Sequence, residues 1–296
     1  MSETHKIDHD FREHNGFNAV GNGAELSRQV TVQLSPEQYE RLFFQPSAPR
    51  RGDLAKRFAN PTLLGLIGFL IPYTSTILIL CGFQGAVAPQ SLLGLSGDYY
   101  FFGCIAMNLA GIAEFILGNT FPMAPGRYRR FILGNTFPMA VFLIYGSHWG
   151  SLAYTQDPIH QTTTPFAELG GANGAAYNSS QGFHNVTMAI ASFVFFMGTF
   201  RVNVFFTLTF FGLIMLFSFI AAADFRVGHA TTEADVEHIN KLLHFAGGFG
   251  FIGLVCGWYL AILTACEAVG IPCPLPVLDL SSKVFPKKDP AVNGES

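Results

Sequence analysis

Six apolar stretches, near residues 61–83, 99–117, 132–153, 184–199, 203–223 and 242–266, dominate this chain, and the charges flanking them sort by side. An apolar run of about 20 residues crosses the roughly 30 Å hydrocarbon layer of a bilayer as a helix. With residue 1 in the cytosol, 15 of the 17 Lys and Arg residues fall inside, in the two tails and in the second and fourth connections. Only Arg226 and Lys241, in the fifth connection, fall outside. The reverse orientation would break the positive-inside rule by the same margin. The pattern predicts an all-α integral membrane protein with six transmembrane helices and both termini cytosolic.

Composition agrees, with half of the residues hydrophobic and 12 % charged, against about 25 % charged in soluble domains. Arg50, Arg51, Lys56 and Arg57 precede the first stretch. They suit an anionic cytosolic leaflet, so membrane lipid rather than nucleic acid is the expected partner. The first apolar run begins about 60 residues in, which reads as a first span and not as a cleavable signal peptide. The five cysteines lack metal-ligand spacing. No HExxH, GxSxG or paired-aspartate pattern lies in the apolar stretches, so neither an enzyme nor a metal or other cofactor is expected.

Residues 1–59 read as a disordered cytosolic tail, 60–270 as the six-helix transmembrane domain and 271–296 as a proline-rich cytosolic tail. In the first tail, Ser35-Pro36-Glu37-Gln38 fits a helix start ahead of Tyr39, Leu42 and Phe43. Residues 115–124 and 131–140 both read FILGNTFPMA, a short tandem duplication within 115–140. Asn178 and Asn185 fit the glycosylation sequon. Asn178 lies in a polar stretch, 154–183, that reads as an exposed extracellular loop.

Asn60-Pro61 opens the first span, and Asn135 and Thr136, with Pro138 following, open the third. Asn is a preferred cap, and Pro at the first helical position loses no intrahelical bond. Both helix starts then face the cytosolic side, where free N–H groups and positive dipole ends favour a small anion. Asn60, Gly65, Asn135 and Thr136 are the candidate anion mouth. Gly253 and Gly257 form a GxxxG face that lets helix backbones approach closely. Ionisable groups inside the spans are few. Glu114, in the last turn of the second, opposes its helix dipole and needs a partner, an interfacial position or a proton. His148 lies well inside the third, whereas His184 and His244 fall at outer ends. Glu114 and His148 are the candidate proton sites.

At these positions the chain resembles the acetate uptake transporter family of bacterial succinate–acetate permeases and fungal acetate permeases. The matching words are Asn60-Pro61-Thr62-Leu63-Leu64-Gly65-Leu66 against the family's NPAPLGL, Gly-Asn-Thr-Phe at 118–121 and again at 134–137, Tyr145-Gly146-Ser147 followed by Trp149, and His244-Phe245-Ala246-Gly247. The likeness covers about 60–270. Thr62 and Leu63 depart from the family's Ala and second Pro, and the duplication inserts 16 residues between two intact halves. The resemblance implies a six-helix subunit in a homo-hexamer that carries acetate and related short monocarboxylates, which reads as a plasma-membrane transporter or channel. Inward movement of the anion opposes an inside-negative potential, so uptake needs a co-transported proton (symport), entry of the protonated acid or consumption of acetate inside. The resemblance also implies a hydrophobic constriction at Phe69, Tyr145 and Leu208. Ammonium export and acetate sensing without transport are the rival readings.

Overall fold

Helix α1, Thr62–Leu80, begins where the sequence places its start. Pro61 already has near-helical angles (φ −81°, ψ −8°), and the Asn60 side-chain oxygen accepts the Thr62 N–H at 3.0 Å. One orphan donor of the helix end is therefore satisfied by its own cap. Within α1, Pro72 cannot donate to the preceding turn. The Thr74 and Thr76 hydroxyls donate back to the Leu70 and Pro72 carbonyls at 2.5 and 2.8 Å, so neither is left bare in an apolar segment.

These helices belong to a computed structural model that describes residues 59–117, 136–280 and Val284, all within the unit Ala48–Ser296. Helix α2 runs Gln90–Leu117. It opens in 3₁₀ turns, passes through a π-helical segment, Tyr99–Ala106, and ends as α-helix Met107–Leu117. Four further helices follow: α3 Thr136–Gln156, α4 Ala175–Thr199, α5 Val204–Val227 and α6 Glu233–Ala268. Asn203 caps α5 by accepting the Phe206 N–H at 2.8 Å, and Thr232 with Asp235 closes a capping box on α6. Helices α1, α2, α4, α5 and α6 are long and apolar enough to cross a membrane. Helix α3 has the length, at 21 residues, but Ser147, His148, Ser151, Thr155 and Gln156 dilute its apolarity.

Helix α5 packs along both α4 and α6, α1 lies against α6 and α2, and α2 against α3. Two glycines of α6 permit the α1 contact: a Cβ on Gly257 would lie 2.7 Å from Leu70 Cδ2, and one on Gly253 would lie 3.0 Å from the Tyr73 hydroxyl. The GxxxG face thus serves packing within the chain. The backbones of α3 and α4 approach each other little, and long side chains bridge them. After α6, residues 271–280 are extended against the start of α5, where Leu278 O accepts the Val204 N–H and Leu280 N–H donates to Val202 O.

Two expectations are corrected. Residues 154–183 are not one exposed loop: three short 3₁₀ turns lead into α4, which starts at Ala175. Asn178 is buried, its amide donating to the Ala172 and Gly174 carbonyls at 2.8 and 2.9 Å. The polar residues hold the helix start, and the nitrogen a glycan would need is already engaged. Helix α6 begins at Glu233, so Lys241 is helical and pairs with Glu237 at 2.7 Å. At 1.5 Å per residue α6 is about 54 Å long, more than the hydrocarbon layer requires, which leaves its polar first turns for water. The Ser35 helix, Asn135 and residues 118–135 of the duplicated region lie outside the described residues.

Candidate functional site

Aromatic rings from five helices meet inside the bundle. Phe69 of α1 stacks on Tyr73 at 4.6 Å and meets Tyr145 of α3 edge-on at 6.1 Å and Trp149 at 6.4 Å. Tyr145 also lies 6.2 Å from Phe195 of α4, and 6.0 and 6.4 Å from Phe210 and Phe217 of α5. Trp149 stacks on Tyr99, 5.1 Å away in the π-helical segment. A Cβ on Gly103, one turn on, would sit 2.5 Å from Trp149 Cγ, so only glycine leaves room for the indole.

Neutral polar groups interrupt this column. The Tyr145 hydroxyl and Ser192 Oγ are 2.7 Å apart, and Ser192 donates onward to the Met188 carbonyl. His148 Nδ1 and His184 Nε2 lie 2.9 Å apart. Trp149 Nε1, on a side chain 3 % exposed, has no hydrogen-bond partner among the described residues. A buried N–H without an acceptor costs free energy, and it is a donor a passing anion can use.

Of the predicted site residues, Phe69, Tyr145 and His148 lie in or beside this column, and the other described ones lie elsewhere on α1, α2, α3 and α5 or at their ends. Phe69 and Tyr145 are in contact, as above. Leu208 is 39 % exposed on α5, and it is Phe210, two residues on, that this helix turns toward Tyr145. Gly65 is buried where an added Cβ would lie 2.5 Å from the Phe142 ring, a close-packing position between α1 and α3. Asn60 is exposed and caps α1, and Thr136 is exposed at the start of α3. Glu114 is fully buried, and Thr62 Oγ1 donates to its Oε1 at 2.5 Å. The carboxyl thereby reaches the first turn of α1, the end of a helix that favours negative charge.

Sequence reasoning missed His184 and Ser192. Nine residues of α4 precede His184, which sets it inside the helix and opposite His148. The helix start was hidden in a polar stretch, and only the register of α3 against α4 reveals either pair. A groove of about 520 Å³ opens between α4 and α5, but its walls, among them Val186, Ile190 and Phe193, are exposed apolar residues on the outer face of the bundle.

Apolar helices around an aromatic interior with a few neutral donors define a multi-pass membrane protein. The profile of the GPR1/FUN34/yaaH family matches residues 44–125 and 128–282, and the chain belongs to that family. It is 31 % identical to protein alcS of Aspergillus fumigatus over 85 % of this chain and 86 % of that one. It is 29 % identical to the succinate-acetate/proton symporter SatP of Escherichia coli K12, over 68 % of this chain and 84 % of that one. Its fold is similar to the solved structure of the bacterial acetate channel SatP, with a TM-score of 0.54 and 24 % identity, covering 74 % of this chain and 99 % of the other.

Proposed function

We propose that this chain is a plasma-membrane transporter or channel for acetate and other short monocarboxylates, proton-linked, with six transmembrane helices and both termini cytosolic. The observation that carries the reading is the Phe69–Tyr145 contact, an apolar narrowing beside the unpartnered Trp149 N–H. Among the described residues its surroundings supply hydroxyl, imidazole and indole donors and no Lys or Arg, so an anion can bind and still leave. The names of two SatP proteins, one an acetate channel and one a succinate-acetate/proton symporter, support the substrate and the proton.

In this reading Phe69, Tyr145 and Leu208 form the constriction, and Asn60, Gly65, Asn135 and Thr136 the cytosolic anion mouth. Glu114 and His148 hold protons. Inward movement of an anion against an inside-negative potential costs about 2.3 kcal/mol per 100 mV, and a co-moving proton cancels that term. Exposed apolar side chains such as Phe101 and Phe183, each 65 % exposed, suit lipid and neighbouring subunits of a homo-hexamer.

Labelled-acetate flux into liposomes holding the purified protein tests the proposal. Saturable flux above protein-free vesicles, competed by propionate, is the expected result. Competition by ammonium but not propionate would transfer the reading to ammonium movement. Binding of acetate without flux would leave a sensor.

A further inference from the structure

The polar contact between His148 and His184 has a geometry that a packing role does not require. The ring planes are 11° apart and the centroids 5.1 Å apart, while the facing nitrogens are 2.9 Å apart. The difference leaves one ring radius on each side. The imidazoles therefore meet nitrogen to nitrogen in nearly one plane, with their lone-pair directions aimed at each other, and do not stack face to face. Two N–H groups cannot occupy that gap, and two lone pairs would repel in it. A single proton fills it, donated by one ring and accepted by the other.

The pair stands next to the column and not apart from it. His148 lies one turn after Tyr145 on α3, and His184 lies two turns before Ser192 on α4, so the Tyr145–Ser192 and His148–His184 contacts form successive rungs across one gap. His148 also packs at 5.7 Å on Trp149 and edge-on at 5.1 Å on Phe217.

We propose that His148 and His184 together form a two-imidazole proton relay that carries the proton moved with the solute. This rests on the proton-linked transport reading above. In the neutral pair one outer nitrogen, His148 Nε2, is empty and the other, His184 Nδ1, carries hydrogen. A proton binding at His148 Nε2 makes that ring cationic. The bridging proton then passes from His148 Nδ1 to His184 Nε2, and His184 Nδ1 releases its own. Two N–H bonds form, two break, and one proton enters at α3 and leaves at α4. The pair is left in the opposite tautomer, and it resets by reorientation of the imidazoles and not by passing a proton back, so the net movement is kept.

Other ionisable groups around the relay are already engaged. On α1 the Tyr73 hydroxyl donates to the Gly250 carbonyl, and on α2 the Tyr99 hydroxyl pairs with Thr76. On α3 Tyr145 pairs with Ser192. The carboxyl that α5 brings to this end is Asp224, which accepts at 2.8 Å from Asn185, the neighbour of His184. Among the described residues no ion pair reaches either imidazole. Charge on the pair is set by the proton it carries.

The test uses the full chain in liposomes with a trapped pH dye. An inward acetate gradient should drive protein-dependent proton entry, and in His184→Gln the ratio of proton entry to labelled-acetate exchange should fall. An unaltered ratio in both His184→Gln and His148→Gln overturns the relay. A second readout is independent of transport. In a Trp258→Phe background the fluorescence comes from Trp149, and an imidazolium beside it should quench as pH falls, an effect that His148→Gln abolishes. If the parent moves no acetate, the acetate reading fails and this titration decides the proton site: a transition confined to chains with His148 supports it, and its absence from the parent overturns it.

Discussion

Thr62 Oγ1 donates to Glu114 Oε1 at 2.5 Å, joining the first turn of α1 to the last turn of α2. Glu114 is fully buried, and Thr62 stands where the family motif has Ala. Removing a donor from a buried acceptor costs about 1–3 kcal/mol. Thr62→Val, which keeps the shape and deletes the hydroxyl, should lower the thermal midpoint in detergent, while Thr62→Ser should not. Equal midpoints for both would mean the contact contributes nothing to stability.

Gly65 belongs to the NPTLLGL word, but its surroundings make it a packing residue. An added methyl would sit 2.5 Å from the Phe142 ring. Overpacking of this kind costs about 1–3 kcal/mol. Gly65→Ala should destabilise the protein, and Phe142→Leu in the same chain should recover part of the loss through non-additivity. A Gly65→Ala protein as stable as the parent but deficient in acetate affinity would instead favour the anion-mouth role.

Widening the aromatic column should change what passes. Phe69→Ala and Tyr145→Ala should admit bulkier monocarboxylates, whereas Phe101→Ala, on a side chain 65 % exposed, should not. Comparing Leu208→Ala with Phe210→Ala then decides which residue of α5 narrows the path, since Phe210 is the one 6.0 Å from Tyr145. Uptake of propionate, butyrate and succinate by each variant is the measurement. Identical size preference in all of them would remove the constriction from this column.

The sequence carried the helices for a physical reason. Apolar runs and flanking charges are one-dimensional signals, and Asn60-Pro61 marks a helix start by local chemistry alone. Phe69 and Tyr145 were reached only through family motifs, because 76 residues separate them and no local pattern distinguishes a pathway ring from a core ring. His184 and Ser192 were out of reach: their partners lie 36 and 47 residues away. The polar sequence before His184 also disguised nine residues of helix as loop.

Trp149 offers a cleaner separation of function from folding. Its Nε1 has no partner among the described residues, so Trp149→Phe removes a donor without breaking a bond and retains a ring to stack on Tyr99. The smaller ring leaves a cavity that lowers the thermal midpoint somewhat, so affinity and not stability is the decisive readout. A hydrogen bond to a charged acceptor contributes about 1.5–3 kcal/mol, so the half-saturating acetate concentration should rise on the order of tenfold. Unchanged affinity with a lowered thermal midpoint would return the indole to a packing role.

The duplication makes the last prediction. Deleting 115–130 joins Glu114 directly to Phe131, and because the two copies are identical the chain again reads Phe-Ile-Leu after Glu114. The last residues of α2, Phe115–Leu117, are thereby replaced like for like, including a leucine at the position of Leu117, which is buried at 7 % exposure. Gly134 and Asn135 then connect this end to Thr136, the first residue of α3. A connection of two residues is within the range of antiparallel helix hairpins, and α2 and α3 already pack against each other. Three arginines, Arg127, Arg129 and Arg130, leave with the deleted segment; such charges belong to a cytosolic connection and not to the spans, so the helices lose nothing they need. The shortened chain should fold and transport at least as well as the parent, read by monodisperse yield and acetate flux. Loss of both, with the full chain active, would make the inserted segment part of the working protein.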